Sequence, residues 1–248
     1  MSRVLAIDRG NNSLKAALFE SGSIIGRWNR FPGSSIEVLE KILEEAAPEG
    51  VVFSSVVPEW NRLLYKSVGG KRSISLLEAR YDNHLPFRIL LDEQSSVGSD
   101  RICAAVGAVV EGCSDAVIVD AGTAVTVDLI SSAGFEGGSI FPGSGLLLSS
   151  LGEGTAALPV LDPGGSPFNP PFKNTADAMI AGSLWGLIGA VRELVRRTID
   201  ASSGGAEVIL TGGSAGLLKE YIGLDARVIP DLVFNGLFWI FVNNPGGI

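Results

Sequence analysis

With 248 residues, 46% of them hydrophobic, the chain can build one large domain or two of ordinary size around a substantial core, which excludes an intrinsically disordered protein. A formal net charge of −8, with no stripe of Lys or Arg, argues against a nucleic-acid partner, which needs concentrated positive charge to meet phosphates.

The first predicted elements are a strand over Val4–Ile7 ending at Asp8, a turn through Gly10, Asn11 and Asn12, and a second strand over Leu14–Phe19. Ser23–Phe31 adds a third strand, and Ser35 is a plausible N-cap for the amphipathic helix that follows it. Val51–Val57 reads as a buried strand stopped by Pro58, then a helix over Glu59–Val68, a strand over Phe87–Leu91 and a helix over Asp100–Glu111. The opening pattern then returns: Ala116–Val119 ends at Asp120, Gly122 and Thr123 make a turn, and strands follow over Val125–Ile130 and Gly134–Phe141. This repeated strand, Asp-X-Gly, strand grammar predicts two similar halves, divided as 1–114 and 115–248. An irregular loop is expected over 152–173, rich in Pro, Gly and Asn. Beyond it come a helix over Thr175–Ile199, a strand over Val208–Leu210, a turn at Thr211–Ser214 opening a helix to Tyr221, and a last helix over Asp231–Val242. The class is α/β, mixed sheets with antiparallel hairpins flanked by helices.

Cys103 and Cys113 form neither a Cys-x-x-Cys pair nor a disulfide framework, which suits a reducing compartment. The N-terminal apolar run is cut at Asp8, unlike a signal peptide. The most apolar stretch, 178–191, runs into Arg192 and Glu193, short of the ~20 residues that span a bilayer. A cytoplasmic protein with no membrane partner is expected.

Asp8 and Asp120 end buried strands beside Gly10 and Gly122, where a carboxylate can hold a hydrated cation and backbone N–H groups can approach phosphate oxygens. Ser13, Thr123 and Thr126 offer hydroxyls to the same oxygens, and Lys15 a point charge. Either Asp-X-Gly segment alone is better explained as a tight turn; the pair, together with Gly212 and Gly213 opening a helix, favours a phosphate site. Asp100-Arg101, after Gly98 and Ser99, is equally a helix cap with a solvated Arg or a general base beside a clamp for an acidic substrate. No Gly-x-x-x-x-Gly-Lys-Ser/Thr loop and no Cys/His zinc pattern occurs, and His84, the single histidine, lies in a predicted loop.

Taken together, these segments resemble the motifs of the type III pantothenate kinases. The residues concerned are Ile7–Phe19, Ser54–Pro58, Gly98–Arg101, Asp120–Thr126, Gly137–Gly143, Thr155–Pro159, Asn174–Thr175 and Thr211–Gly213, in the family's order over nearly the whole chain. The resemblance implies two ribonuclease H-like domains of the actin-like ATPase superfamily and a homodimer with its active site near the interface. It implies transfer of the ATP γ-phosphoryl group to pantothenate, the first step of coenzyme A synthesis, with Mg2+ or another divalent metal and K+ or NH4+.

Carried over by motif, Asp8, Gly10, Asn11, Asn12, Ser13 and Lys15 would hold the ATP phosphates, with Asp8 also at the divalent metal. Asp100 would be the base, and Gly98, Ser99 and Arg101 would contact pantothenate. Asp120 would ligate the monovalent cation, Gly122, Thr123, Gly212 and Gly213 would meet ATP, and Thr175 would bind substrate across the dimer.

Three positions depart from the family pattern. Asn12 stands where the motif usually has Thr, Arg9 where a small or apolar residue is usual, and Leu91 where a Tyr usually precedes Gly98 by seven residues. Loss of that phenol removes a hydrogen bond to a charged substrate, worth about 1.5–3 kcal/mol. These departures keep two alternatives in view: a catalytically weak accessory or regulatory protein, and a kinase of another small hydroxy acid.

Overall fold

The computed structural model describes residues 3–31, 36–69, 74–162, 170–202 and 205–245. The expected N-cap at Ser35 lies outside them. The chain forms two compact units: Met1–Ser114 with Ser132–Glu136 and Asp231–Ile248, and Asp115–Ser131 with Gly137–Pro230.

In the first unit, β1 (Arg3–Arg9), β2 (Leu14–Glu20) and β3 (Ser23–Phe31) form an antiparallel meander. After α1 (Ile36–Ala46), strand β4 (Gly50–Ser55) lies parallel to β1; after α2 (Pro58–Gly69), β5 (Ser75–Glu78) lies parallel to β4. The sheet order is β3-β2-β1-β4-β5. Alternation along β1 decides its two faces. Leu5 and Ile7 join Leu14, Phe53, Trp60 and Leu64 in one core cluster with α1 and α2. Asp8 falls on the opposite face. Helix α3 (Ser99–Val110) completes the contiguous part of this unit.

The second unit repeats the plan. Strands β6 (Ala116–Ala121), β7 (Ala124–Ser131) and β8 (Gly134–Pro142) are followed by α4 (Ser144–Gly154), α5 (Thr175–Ala201), β9 (Glu207–Thr211), α6 (Ala215–Tyr221) and β10 (Arg227–Val228). Its sheet order is β8-β7-β6-β9-β10, with β6 antiparallel to β7 and parallel to β9. The two sheets therefore share strand order and direction around β1 and β6, as the repeated grammar implies. Leu187, Ile188, Val191 and Val195 of α5 and Ala215 and Leu218 of α6 pack into the core of this unit. Among the described residues α5 alone is long and apolar enough, by length and composition, to cross a membrane. Its apolar side is committed to that core.

Several expectations are corrected. Phe87–Leu91 is not a strand: Ile89 makes only an isolated bridge to Phe135 at the start of β8, because its neighbours Arg88 and Leu90 bond to that one residue and no ladder continues. Residues 152–154 belong to α4, so the irregular stretch begins at Thr155. Strands β5 and β10, of four and two residues, are too short to leave a periodic signal. The linear division at 114/115 also fails for the last helix, α7 (Leu232–Asn243), which belongs to the first unit. Close approach of α7 to α3 explains this. A Cβ on Gly107 would lie 2.1 Å from the Leu232 carbonyl oxygen, and one on Gly236 1.9 Å from that of Cys103, so only glycines let the backbones meet.

Candidate active site

Strand register brings three polar side chains into line at one end of the first sheet. Asp8 pairs with Lys15 on β2 and with Ser54 on β4, so all three point to the same face. The Lys15 ammonium stands 4.0 Å from the Asp8 carboxylate. Burial pushes the Asp8 carboxyl up from 3.8 to about 6; Lys15 and Arg9 pull against that shift, and Asp100 adds to it. Two carboxylates thus share this end of the sheet, and the excess negative charge would be relieved by a cation.

Helix α3 delivers the second carboxylate. The Ser99 hydroxyl lies 2.9 Å from that of Ser54 and accepts the Ser55 N–H at 3.2 Å, tying the helix start to the end of β4. Gly98 is the N-cap, and a Cβ there would sit 2.5 Å from Asp100 Oδ1. Glycine is therefore what lets the carboxylate fold back, where it accepts the Arg101 N–H at 2.9 Å. A carboxylate in the first helical turn also meets the positive end of the helix dipole. The Arg101 guanidinium lies 5.6 Å from the centroid of the Phe135 ring. Cys103, one turn along, is fully buried, and burial with Asp8 and Asp100 nearby pushes its thiol well above the usual range, making it an inert core residue.

The hairpin Gly10–Ser13 stands beyond Asp8 with Asn11 and Asn12 exposed. Arg9, next along β1, points to the opposite face from Asp8 and is only 8% exposed. Its guanidinium donates to the carbonyl of Gly10 and, at 3.3 Å, to that of Ser13. Arg9 is thus a buried brace under the hairpin rather than a second cation on the Asp8 face. Its Nε has no hydrogen-bond partner.

The second unit carries its own cluster. Asp120 pairs with Thr126 on β7 and Thr211 on β9, the same register that Asp8 has with Lys15 and Ser54. Gly212 has φ +87°, and a Cβ there would lie 2.4 Å from Asp120 Oδ1 and 2.7 Å from the Ala121 backbone. Gly143 packs as closely onto the Gly122-Thr123 turn, donating its N–H to the Thr123 carbonyl at 2.9 Å. A carboxylate between glycine turns, with backbone carbonyls beside it, is a hard-oxygen environment suited to a cation. Gly213, after Gly212, is exposed at the start of α6. Thr175 is the exposed first residue of α5, behind Asn174, which caps the helix by accepting the Asp177 N–H at 2.8 Å. It lines a hollow of about 520 Å³ with Leu151, Leu158, Phe172 and Met179.

A family description of type III pantothenate kinases matches residues 4–197. The chain belongs to the type III pantothenate kinase family. The type III pantothenate kinase of Laribacter hongkongensis (strain HLHK9) is 33% identical over 236 residues, covering 94% of this chain and 96% of that protein. A Campylobacter jejuni protein classed as a Baf family transcriptional activator shares the fold at TM-score 0.61 and 21% identity, with 97% of this chain and 98% of that one covered. The inorganic polyphosphate/ATP-glucomannokinase of Arthrobacter sp. strain KM does so at TM-score 0.51 and 14% identity, with 98% and 99% covered. The architecture is two similar α/β units, each built on one mixed five-stranded sheet, and these solved structures share that fold.

Of the motif residues carried over from this kinase family, Asp8, Lys15, Gly98, Ser99, Asp100 and Arg101 gather at one end of the first unit. Asp120, Gly122, Thr123, Gly212 and Gly213 gather in the second. The Ser99 hydroxyl is engaged with β4, which makes it a positioning group. Sequence reasoning did not foresee the placement of three residues at the site. Ser54 had a signal, the end of a strand parallel to β1; Phe135 and the inward turn of Arg9 had none, since neither follows from local pattern. Among the described residues no group of three or more His, Cys, Asp or Glu side chains forms a metal cluster. Mg2+ held by one carboxylate, phosphate oxygens and water needs none, so the donor set at Asp8 fits.

Proposed function

We propose that this chain is a cytoplasmic kinase that phosphorylates pantothenate with ATP, the first step of coenzyme A synthesis. The observation that carries the proposal is the convergence of Asp8, Lys15 and Ser54 from three strands with Asp100 from the α3 N-terminus, in a chain of this family. Phosphoryl transfer asks mainly for position, charge neutralisation and one carboxylate aimed at the nucleophile.

In this scheme Lys15 and the N–H groups of Gly10–Ser13 hold the ATP phosphates, and Asp8 holds the divalent metal. When bound, that ion neutralises charge developing between the phosphates. Asp100 accepts the proton of the pantothenate hydroxyl as its oxygen bonds to the γ-phosphorus and the bond to the ADP oxygen breaks. Gly98 and Arg101 hold pantothenate, Arg101 at its carboxylate, while the Ser99 hydroxyl keeps α3 seated on β4. Gly122, Thr123, Gly212 and Gly213 receive the nucleotide, and Asp120 holds K+ or NH4+ with backbone carbonyls. A homodimer brings Thr175 of one copy to the substrate of the other.

The test is ADP release from the purified protein with ATP, Mg2+ and K+, with and without pantothenate, for wild type and Asp100→Asn. Release that requires pantothenate, lost by ~10²-fold or more in the variant while nucleotide binding persists, is expected. Turnover by Asp100→Asn within a few-fold of wild type would refute the base. A folded wild type that releases no ADP would refute the kinase assignment.

A further inference from the structure

Arg101 occupies the third residue of α3, and a cation in the first turn is opposed by the helix dipole. Helix stability does not account for it. One group that its guanidinium faces is the ring of Phe135, 5.6 Å from centroid to guanidinium carbon. That distance lies within the range over which a π face attracts a cation.

Phe135 is itself held on every side. It lies at the start of β8, within Ser132–Glu136, a segment that belongs to the first unit. Its N–H donates to the Arg88 carbonyl at 2.8 Å, and its carbonyl accepts the Leu90 N–H at 2.9 Å. Its ring is fully buried and stacks on Phe87 at 6.4 Å. The preceding residue, Gly134, has φ +143°, and any Cβ there would lie 2.2 Å from the Arg88 carbonyl oxygen. The segment can therefore dock only one way, and it docks with the ring against Arg101.

We infer that Phe135 is a positioning residue for the acidic end of the substrate: its ring fixes the Arg101 guanidinium in the orientation that receives a carboxylate. The inference rests on the functional reading above, which assigns Arg101 to pantothenate. A guanidinium held in place before binding loses less freedom when it meets its partner, so removing the ring should weaken acceptor binding and leave the nucleotide untouched.

The experiment compares full-length wild type, Phe135→Leu, Arg101→Lys and the double variant, with pantothenate and ATP varied separately. Phe135→Leu should raise KM for pantothenate roughly three- to tenfold, the scale of one cation–π contact, with KM for ATP and kcat within about twofold. In the Arg101→Lys background the same change should have a much smaller effect, because Phe135 acts through the guanidinium. Phe135→Met serves if the leucine variant fails to fold. NMR of the ligand-free protein gives an independent readout: Arg101 side-chain protons should be ring-current shifted in wild type and lose that shift without the ring.

A wild type that phosphorylates pantothenate while Phe135→Leu keeps its KM would overturn this inference alone. So would equal changes in the two KM values, additivity in the double variant, or no ring-current shift in wild type. A wild type with the shift but no pantothenate turnover would overturn the functional reading, and the substrate role of Phe135 with it.

Discussion

Replacing Asp8 by Asn should abolish activity and at the same time stabilise the ligand-free protein. The carboxyl ionises near 3.8 when unperturbed and at about 6 in the folded chain, because burial and Asp100 disfavour its charge. Below pH ~4 both folded and unfolded chains are protonated there, and the group has no effect. As pH rises towards ~6 the unfolded chain loses the proton while the folded one keeps it, so stability falls across that window. Above the window the cost is complete, about two pKa units or roughly 3 kcal/mol.

Asn carries no charge and avoids that cost, which is already net of the 4.0 Å pairing with Lys15. A gain of about 3 kcal/mol should raise Tm by roughly 6–12 °C in a chain of this size. Thermal melts of wild type and Asp8→Asn between pH 4 and 8, without nucleotide or divalent metal, read this directly. The gap should open between pH 4 and 6 and then stay level. A gap independent of pH, or a variant less stable than wild type at pH 7.5, would refute the claim that Asp8 is held against its own charge to bind a cation.

Arg9→Met should loosen the hairpin that Arg9 braces at Gly10 and Ser13. Loss of such charged hydrogen bonds costs about 1.5–3 kcal/mol; a lower melting temperature and a several-fold higher KM for ATP are expected, and no change in either would show the brace to be idle. Gly236→Ala drives a methyl into the Cys103 carbonyl and should cost at least about 1–3 kcal/mol in a denaturant titration. Wild-type stability in that variant would mean that α7 can lift from α3. Exchanging K+ for Na+ should sharply lower turnover, and Asp120→Asn should remove the discrimination; equal rates in both salts would argue against a cation at Asp120.

The strands that carry Asp8 and Asp120 were legible because each ends in a carboxylate followed two residues later by glycine, a purely local signal. The α5 start was legible for the same reason, with Asn174 before a helical run. Helix α7 was legible as a helix, but its home was not: an apolar pattern says that a helix must be buried, without saying against what. Glycines 107 and 236 answer that only once their helices are seen to cross.

The sequence by itself determined the two-fold repeat of sheets, the family, and the residue types offered to phosphate, metal and acceptor, because periodicity, turns and ordered motifs are written among near neighbours. Only the tertiary structure decided that Lys15 and Ser54 flank Asp8, that Arg9 turns inward, and that Phe135 faces Arg101. Those pairings depend on strand register and on the docking of segments up to 46 residues apart, 89 to 135 in the bridge that seats Phe135. Register and docking are set by the packing of whole faces, where hydrophobic burial is collective and no single residue announces its partner.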